Sequence, residues 1–410
     1  MATPQTSILG TGIIGLSTAY FLSAAPTTPP SSIHLIEPSP ILFASASGFA
    51  GGFLASNWVA SECEELGKLS FRLHKELAEK EGGMGAWGYE RSRGVSYSAG
   101  RGWKGKGKNE RGEDWLKQEG SRGDVVGVSE VFGDGPAWLE RSDGDSMEVI
   151  GEEGTLAQID PLRLCKFLLQ ACLSRGVQLH HPARALSVGK DMHDELSSIR
   201  ILNTSTNAVS EIPCTRLLIS AGAWSPQVFS TLFPNSNLKL AISSLAGHSL
   251  VVRSPRWGKE QEGKGCHAVF TTDEAGYSPE IFSRIGGEIY IAGLNSVSLP
   301  LPELATESRI DESSIAKLKM TAERLLGEED LEVVRKGLCF RPVTKRGTLI
   351  LARIDERLGS VGTRGTREGG VFIAAGHGPW GIALSLGTGK VMSEMIEGKE
   401  TSADVRKLGL

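Results

Sequence analysis

The sequence predicts an α/β protein whose first domain contains a parallel sheet. A short apolar run near the start of the chain is followed by three glycines, which are Gly10, Gly12 and Gly15. An apolar segment of helical length then covers residues 13–22, and a second short apolar run, residues 33–36, ends in Glu37. This order of strand, glycine turn, helix, strand and acid is typical of a βαβ unit that binds a dinucleotide.

Each glycine of this turn has a separate predicted role. Gly10 allows the tight turn, Gly12 lets a pyrophosphate approach the backbone, and Gly15 lets the helix pack closely on the strand. The first helical residues, Ile13 and Ile14, offer unpaired N–H groups and the positive end of the helix dipole to the phosphates. The alternative is an ordinary strand-to-helix turn.

Glu37 provides the acid, because a carboxylate at the end of the second strand can accept hydrogen bonds from both ribose hydroxyls. It lies 27 residues after Gly10, where about 20 are expected. The excess falls in residues 24–32, whose prolines cannot continue the helix. We therefore expect a longer loop before the second strand and an unchanged site.

The composition limits the classes of function. At 410 residues the chain can form two domains with their own cores. A net charge of −4 argues against a nucleic-acid partner, and no apolar run approaches the ~18 residues that span a bilayer. The six cysteines form no CxxC pair or ligand cluster, so we expect reduced thiols and no metal site.

The two ends of the sequence carry no clear targeting signal. Residues 1–5 lack a basic segment and the nucleotide unit begins at once, so we expect no secretory signal. Residues 407–410 do not form a convincing peroxisomal address. We expect a cytoplasmic protein, with peroxisomal import by another route left open.

Further elements follow from apolar spacing and capping residues. Asp160 and Pro161 are typical of a helix start. The other predicted helices cover residues 61–80, 312–328 and 382–396, and the predicted strands include residues 176–179, 185–188, 217–220, 249–252, 288–292 and 371–375. Residues 100–124 are polar and glycine-rich with mixed charge, which favours a solvated loop over a nucleic-acid contact.

This order predicts a nucleotide-binding domain that a second, α+β domain interrupts twice. The first domain is expected at residues 1–60, 150–230 and 335–410. The second is expected at residues 61–149 and 231–334, with a flexible loop at 100–124.

Four stretches of the chain together resemble the D-amino-acid-oxidase superfamily, especially its glycine-oxidase and fungal D-amino-acid-dehydrogenase-like members. They are the glycine turn with Glu37, residues 46–54, residues 219–225, and the pair 339–344 and 374–382. The resemblance implies FAD rather than NAD. It also implies a Rossmann-type FAD-binding domain interrupted by a mixed-sheet substrate domain. Sarcosine oxidase and amadoriase are more distant relatives.

The resemblance implies further cofactor contacts. Glycine-rich loops give backbone N–H groups free approach to the cofactor, and the last loop leads into a helix whose positive end would stabilise the anionic reduced flavin. Besides the first turn and Glu37, the residues expected to contact FAD are Ser45, Ser47, Gly51, Gly52, Phe53, Ala185, Ala221, Gly222, Trp224, Gly376, Gly378, Pro379, Trp380, Gly381 and Ile382.

On the substrate side, Arg341 occupies the place where family members hold a carboxylate, which a planar guanidinium binds in bidentate fashion. The alternative for Arg341 is a structural ion pair. Four more residues are candidates to line the pocket, with packing or structural hydrogen bonding as the alternative: Tyr277, His248, His377 and Trp380.

Cys339 matches the position of a cysteine that binds flavin covalently in the sarcosine-oxidase and amadoriase branch. The residues that follow differ from that branch, and residues 287–291 offer no match for its oxygen-activating lysine. A buried, inert thiol is therefore the favoured interpretation. The electron acceptor, oxygen or a carrier, stays open.

The sequence thus predicts an FAD enzyme that oxidises the C–N bond of an amino acid or secondary amine. Hydride passes from the α-carbon to flavin N5 and leaves an imine. Two alternatives remain: an NAD-dependent dehydrogenase, and a flavin-binding regulatory or scaffold protein that engages a partner through residues 100–124.

Overall fold

The computed structural model describes residues 3–98, 128–131, 135–151, 154–272, 277–354, 361 and 369–410. The predicted loop at residues 100–124 lies outside these described residues. No helix in the described segments has both the length and the apolar composition that crossing a membrane requires.

The described residues form a mixed α/β structure. Its strands are β1 (Thr6–Leu9), β2 (Ile33–Ile36), β3 (Phe53–Ala55), β4 (Glu90–Ser98), β5 (Val128–Val131), β6 (Ser146–Ile150), β7 (Leu156–Gln158), β8 (Gln178–His180), β9 (Ala183–Lys190), β10 (Leu196–Asn203), β11 (Val209–Pro213), β12 (Arg216–Ile219), β13 (Ile242–Arg253), β14 (Cys266–Thr272), β15 (Glu280–Arg284), β16 (Glu288–Ser296), β17 (Glu332–Thr344), β18 (Ile350–Ile354) and β19 (Gly370–Ala375). Its helices are α1 (Ile13–Leu22), α2 (Ala46–Phe49), α3 (Glu64–Glu81), α4 (Gly83–Trp87), α5 (Pro161–Arg175), α6 (Ser225–Leu232), α7 (Lys259–Glu262), α8 (Glu312–Leu326) and α9 (Ser385–Ile396).

The first sheet contains the N-terminal βαβ unit. Its six strands run in the order β18-β19-β12-β1-β2-β8, and every neighbouring pair is parallel except β18 and β19. Helix α1 packs between α5 and α9 on one face, where a Cβ at Gly389 would lie only 2.4 Å from the backbone of Ser17. The carboxyl ends of β1, β2 and β12 therefore lie side by side, where ligands bind in open parallel sheets.

A second, larger sheet faces this edge. Its main path is β17-β13-β16-β15-β14-β4-β6-β5, with β3 and β7 attached, and most of its neighbours are antiparallel. Helix α8 packs on β13 and β16. A third sheet, β9-β10-β11, lies against α6. This confirms the predicted fold class, whereas the residue boundaries of the two domains stay a prediction.

The predicted helices occur with small differences at their ends. Residues 61–63 form a 3-10 turn before α3, and α8 ends two residues early because Gly327 adopts a left-handed conformation that stops it. The last helix begins at Ser385 rather than at 382, because the chain first makes a 3-10 turn at Gly378–Trp380.

Asp160 caps helix α5, as the sequence predicted. Its carboxylate accepts hydrogen bonds from the backbone N–H groups of Leu162, at 2.9 Å, and Arg163, at 3.2 Å, and Pro161 occupies the first helical position. We expect Asp160→Ala to lower the free energy of unfolding by about 1 kcal/mol, measured by urea unfolding. Asp160→Asn, which keeps an acceptor, is the matched control. Equal stability of the alanine variant and the unchanged protein would contradict the capping role.

Candidate cofactor and substrate site

A cavity of about 460 Å³ lies where the first sheet meets the second. One side of this cavity is formed by the first glycine turn, where backbone lies close to backbone. Gly10 has φ +100°, and a Cβ there would lie 2.7 Å from the carbonyl oxygen of Ser220 at the end of β12. A Cβ at Gly15 would lie 2.1 Å from the carbonyl oxygen of Gly10. Gly15 is therefore a packing residue behind the cavity wall, whereas Gly10 and Gly12 line it.

The start of helix α1 is fixed from the side by a serine. The Ile13 N–H donates to Oγ of Ser47 at 2.9 Å, and both residues line the cavity together with Ile14. Nearby, Oγ of Ser45 is buried without a hydrogen-bond partner among the described residues. A buried hydroxyl of this kind needs a partner, and a cofactor in the cavity can provide one.

Glu37 lines the cavity at the end of β2. Its two carboxylate oxygens accept N–H hydrogen bonds from Thr11, at 3.0 Å, and Ser39, at 3.1 Å. Burial raises the pKa of Glu37, and these two hydrogen bonds oppose the rise. The carboxylate is thus held by backbone donors, and each oxygen retains capacity to accept from a ribose hydroxyl.

The loop after α2 forms a second wall. Gly51, Gly52 and Phe53 line the cavity. Gly52 has φ +87°, and a Cβ there would lie 2.0 Å from the carbonyl oxygen of Ile159, so only glycine fits. Four further predicted contacts also line the cavity, namely Ala185, Ala221, Gly222 and Trp224.

The last glycine loop forms the third wall. Its residues that line the cavity are His377, Gly378, Pro379, Gly381 and Ile382. Nε2 of His377 lies 3.1 Å from Oγ1 of Thr388, and burial lowers the pKa of His377 to about 3, which keeps the imidazole uncharged. Gly376 and Trp380 do not line the cavity, and Trp380 packs in the core instead.

Arg341 reaches the cavity from β17 across a neighbouring strand. Its Nη1 donates to Oδ1 of Asn295, on β16, at 2.6 Å. Between them on β13 lies Gly247, where a Cβ would be 2.3 Å from Nη1. The guanidinium therefore rests in a gap that a missing side chain creates, and the partner that orients it is a neutral amide rather than a carboxylate.

Three residues that the sequence did not identify also line the cavity: Glu280, Phe282 and Tyr290. The rings of Phe282 and Tyr290 are stacked, with centroids 5.8 Å apart and planes 7° apart. Burial raises the pKa of Tyr290, so its hydroxyl stays protonated. The alternation of Glu280 and Phe282 along β15 was the available signal, but it does not say which face the cavity occupies.

Two predicted pocket residues lie elsewhere. The hydroxyl of Tyr277 donates to Oγ1 of Thr321 at 2.8 Å, beneath α8. Nε2 of His248 accepts the N–H of Asp311 at 3.1 Å. Neither residue lines the cavity. Because successive strand residues face opposite sides, His248 is directed away from the face on which its neighbour Gly247 meets Arg341.

Cys339 lines the cavity two residues before Arg341. It is buried, and burial raises the pKa of its thiol while Arg341 opposes the rise. Because the thiolate is the nucleophile, this environment favours an inert thiol. A covalent bond between Cys339 and the flavin stays the less favoured of the two predictions.

The residues around the cavity fit a dinucleotide. They include backbone N–H groups at a helix start, an acid at the adjoining strand end, a buried hydroxyl with no hydrogen-bond partner among the described residues, and glycines where backbone comes close. In FAD the helix start would hold the pyrophosphate, the acid would hold the ribose, and the glycine loops would lie against the pyrophosphate or the flavin edge.

Comparison with known proteins agrees with this assignment. Residues 6–395 match the family model described as FAD dependent oxidoreductase. A Schizosaccharomyces pombe protein, named only as an oxidoreductase of unproven activity, is 27% identical over an alignment of 420 positions that covers 97% of this chain and 95% of the relative.

Two solved structures share the fold. Glycine oxidase from Geobacillus kaustophilus has a TM-score of 0.72 at 19% identity, and 99% of this chain matches 98% of that chain. Iminodiacetate oxidase from Chelativorans sp. BNC1 has a TM-score of 0.71 at 16% identity, with the same coverage. The predicted resemblance to the D-amino-acid-oxidase superfamily is confirmed, and the family match extends over nearly the whole chain. The chain belongs to the family of FAD-dependent oxidoreductases.

Proposed function

We propose that this protein oxidises the C–N bond of an amino acid or a secondary amine that carries a carboxylate. The observation that carries the proposal is Arg341, a guanidinium in the cavity whose hydrogen-bond partner is a neutral amide. A guanidinium held in this way keeps its charge available for a substrate carboxylate, with two donors in one plane.

The remaining walls suit this substrate class. Bound FAD supplies the hydride acceptor at N5, and loss of hydride from the α-carbon leaves an imine that water hydrolyses. The stacked rings of Phe282 and Tyr290 form an apolar part of the cavity wall that limits water, and His377, which lines the same cavity, is uncharged. Arg341 fixes the carboxylate and with it the direction of the α-carbon, which is where orientation contributes most to the rate.

The names of two structural neighbours support the same class. Glycine oxidase and iminodiacetate oxidase are named for compounds that contain both an amine and a carboxylate. We further propose that oxygen or an electron carrier takes up the electrons and that the protein works in the cytoplasm.

The decisive test is an anaerobic absorbance screen of the purified holoprotein. We expect amino acids, N-alkyl amino acids or opine-like secondary amines to bleach the flavin bands, because the substrate reduces FAD directly. Matched amines without a carboxylate should react far more slowly. A holoprotein that no compound bleaches would instead support a regulatory or scaffold role.

Arg341→Ala should reduce kcat/KM for the best substrate by an amount equivalent to about 3–5 kcal/mol, because it removes the partner of a buried carboxylate. Arg341→Lys should keep the charge but lose the bidentate geometry, so its kcat/KM should lie between that of Arg341→Ala and that of the unchanged protein. FAD content, measured by absorbance, serves as the control. Unchanged flavin reduction in both variants would make Arg341 structural and favour an amine without a carboxylate.

Gly247→Ala should also lower kcat/KM, although residue 247 touches neither substrate nor cofactor in this proposal. The added Cβ would occupy the gap in which the Arg341 guanidinium rests. Gly258→Ala is the matched control, because the nearest atom to a Cβ there is 3.6 Å away. We expect the control to be fully active. Equal steady-state kinetics for both variants would show that Arg341 does not depend on this gap.

A further inference from the structure

A buried arginine lies directly behind the second wall of the cavity. Arg284, at the end of β15, is only 2% exposed. In the part of the chain that the structure describes, its guanidinium makes no ion pair with a carboxylate, and its Nη1 has no hydrogen-bond partner. Burial lowers the pKa of Arg284, and Asp160 opposes this at longer range. A charge buried in this way is costly unless something compensates it.

The guanidinium of Arg284 donates hydrogen bonds to the backbone of the loop that forms the second wall of the cavity. Nη2 donates to the carbonyl oxygens of Ala50, at 2.7 Å, and Gly51, at 2.6 Å, and Nε donates to Gly51 at 3.2 Å. Nε2 of Gln158, a fully buried residue, donates to the same Gly51 oxygen at 2.6 Å. Two successive peptide carbonyls are thus turned toward one cation.

These hydrogen bonds to the carbonyl oxygens determine where the N–H groups of Gly51 and Gly52 point. In a planar trans peptide the C=O and N–H bonds point in opposite directions. With the carbonyls of Ala50 and Gly51 on Arg284, the N–H groups of Gly51 and Gly52 face the other way. Both glycines line the cavity. Neither N–H donates to another residue among those described, so both donors are left for a ligand.

A second cation holds the same loop one turn earlier. Nη1 of Arg335, on β17, donates to the carbonyl oxygen of Gly48 at 2.8 Å, and its guanidinium lies 5.5 Å from the centroid of the Phe49 ring. The loop therefore presents N–H groups to the cavity and has positive charge behind it, and among the described residues no carboxylate forms an ion pair with Arg284. Electron-rich atoms of the cofactor, above all those of the anionic reduced form, match this field.

We propose that Arg284 is a positioning residue for FAD, which aims the Gly51 and Gly52 N–H groups at the cofactor and places an unpaired positive charge behind them. The role depends on the cofactor alone and would hold for any substrate. It separates into two parts that variants can distinguish: the geometry of the loop, which Gln158 shares, and the charge, which Gln158 lacks.

The test compares three variants at the loop with one control. Arg284→Met removes both charge and donors, Arg284→Lys keeps the charge, and Gln158→Leu removes a neutral donor from the same carbonyl. Arg216→Met removes another buried arginine, at the amino end of β12 and so away from the cavity. For each folded protein, the dissociation constant of FAD from the apoprotein and the reduction potential of the bound flavin are measured.

We expect Arg284→Met to bind FAD roughly 10- to 100-fold more weakly, the range that corresponds to losing a hydrogen bond from a charged donor, and to shift the potential to more negative values. Arg284→Lys should lose affinity but keep the potential close to that of the unchanged protein. Gln158→Leu should lose affinity alone. The Arg216→Met control should lower thermal stability only.

Two results would overturn the proposal. One is a folded Arg284→Met variant with unchanged affinity and potential. The other is an equal loss of affinity in the Arg216→Met control, which would show that any buried arginine is needed for the fold. If Arg284→Met does not fold, Arg284→Lys and Gln158→Leu decide the question, and unchanged FAD affinity in both would reject it.

Discussion

The close contact of backbone with backbone at Gly10 is the constraint on which the rest of the site depends. A Cβ at Gly10 would lie 2.7 Å from the Ser220 carbonyl oxygen, so the turn can follow this path only without a side chain, and Gly15 then lets α1 pack on the turn itself. This contact fixes where the helix begins, and Ser47 and Glu37 are placed around that point by their own hydrogen bonds. Moving the turn would move the donors and the acid together.

The second sheet completes the site through strand alternation. Successive residues of a strand face opposite sides of the sheet. On β13, Gly247 therefore lies beneath the Arg341 guanidinium, whereas the next residue, His248, is turned the other way and accepts the N–H of Asp311. On β15 this alternation puts Phe282 and Glu280 in the cavity wall, with Arg284 behind the loop that covers it. One sheet therefore supplies both Arg341, the cation proposed to face the substrate, and Arg284, the cation proposed to support the cofactor loop.

The sequence predicted best those features that depend on near neighbours in the chain. The glycine turn, Glu37 and the Asp160 cap each arise within a few residues or one βαβ unit, so spacing was enough. Phe282 and Tyr290 were missed because their stacking depends on the register of β15 against β16. Tyr277 and His248 were wrongly assigned to the pocket, because the sequence does not say which way a loop residue such as Tyr277 points or which face of β13 is turned to the cavity.

We propose that the distribution of charge around the cavity sets the direction in which the cofactor binds. In this assignment Glu37, an acceptor, binds the ribose, whereas Arg284 and Arg335 both hold the loop at residues 48–51, and Arg284 turns the Gly51 and Gly52 N–H groups toward the cofactor. A dinucleotide offers hydroxyl donors at its ribose and electron-rich acceptors at the flavin edge, so only one orientation satisfies both ends. Arg341 then approaches from the flavin side, held by Asn295. In this proposal, the order of Glu37, the Gly51 and Gly52 N–H groups and Arg341 along one cavity aligns the cofactor with the place where a substrate carboxylate would be held.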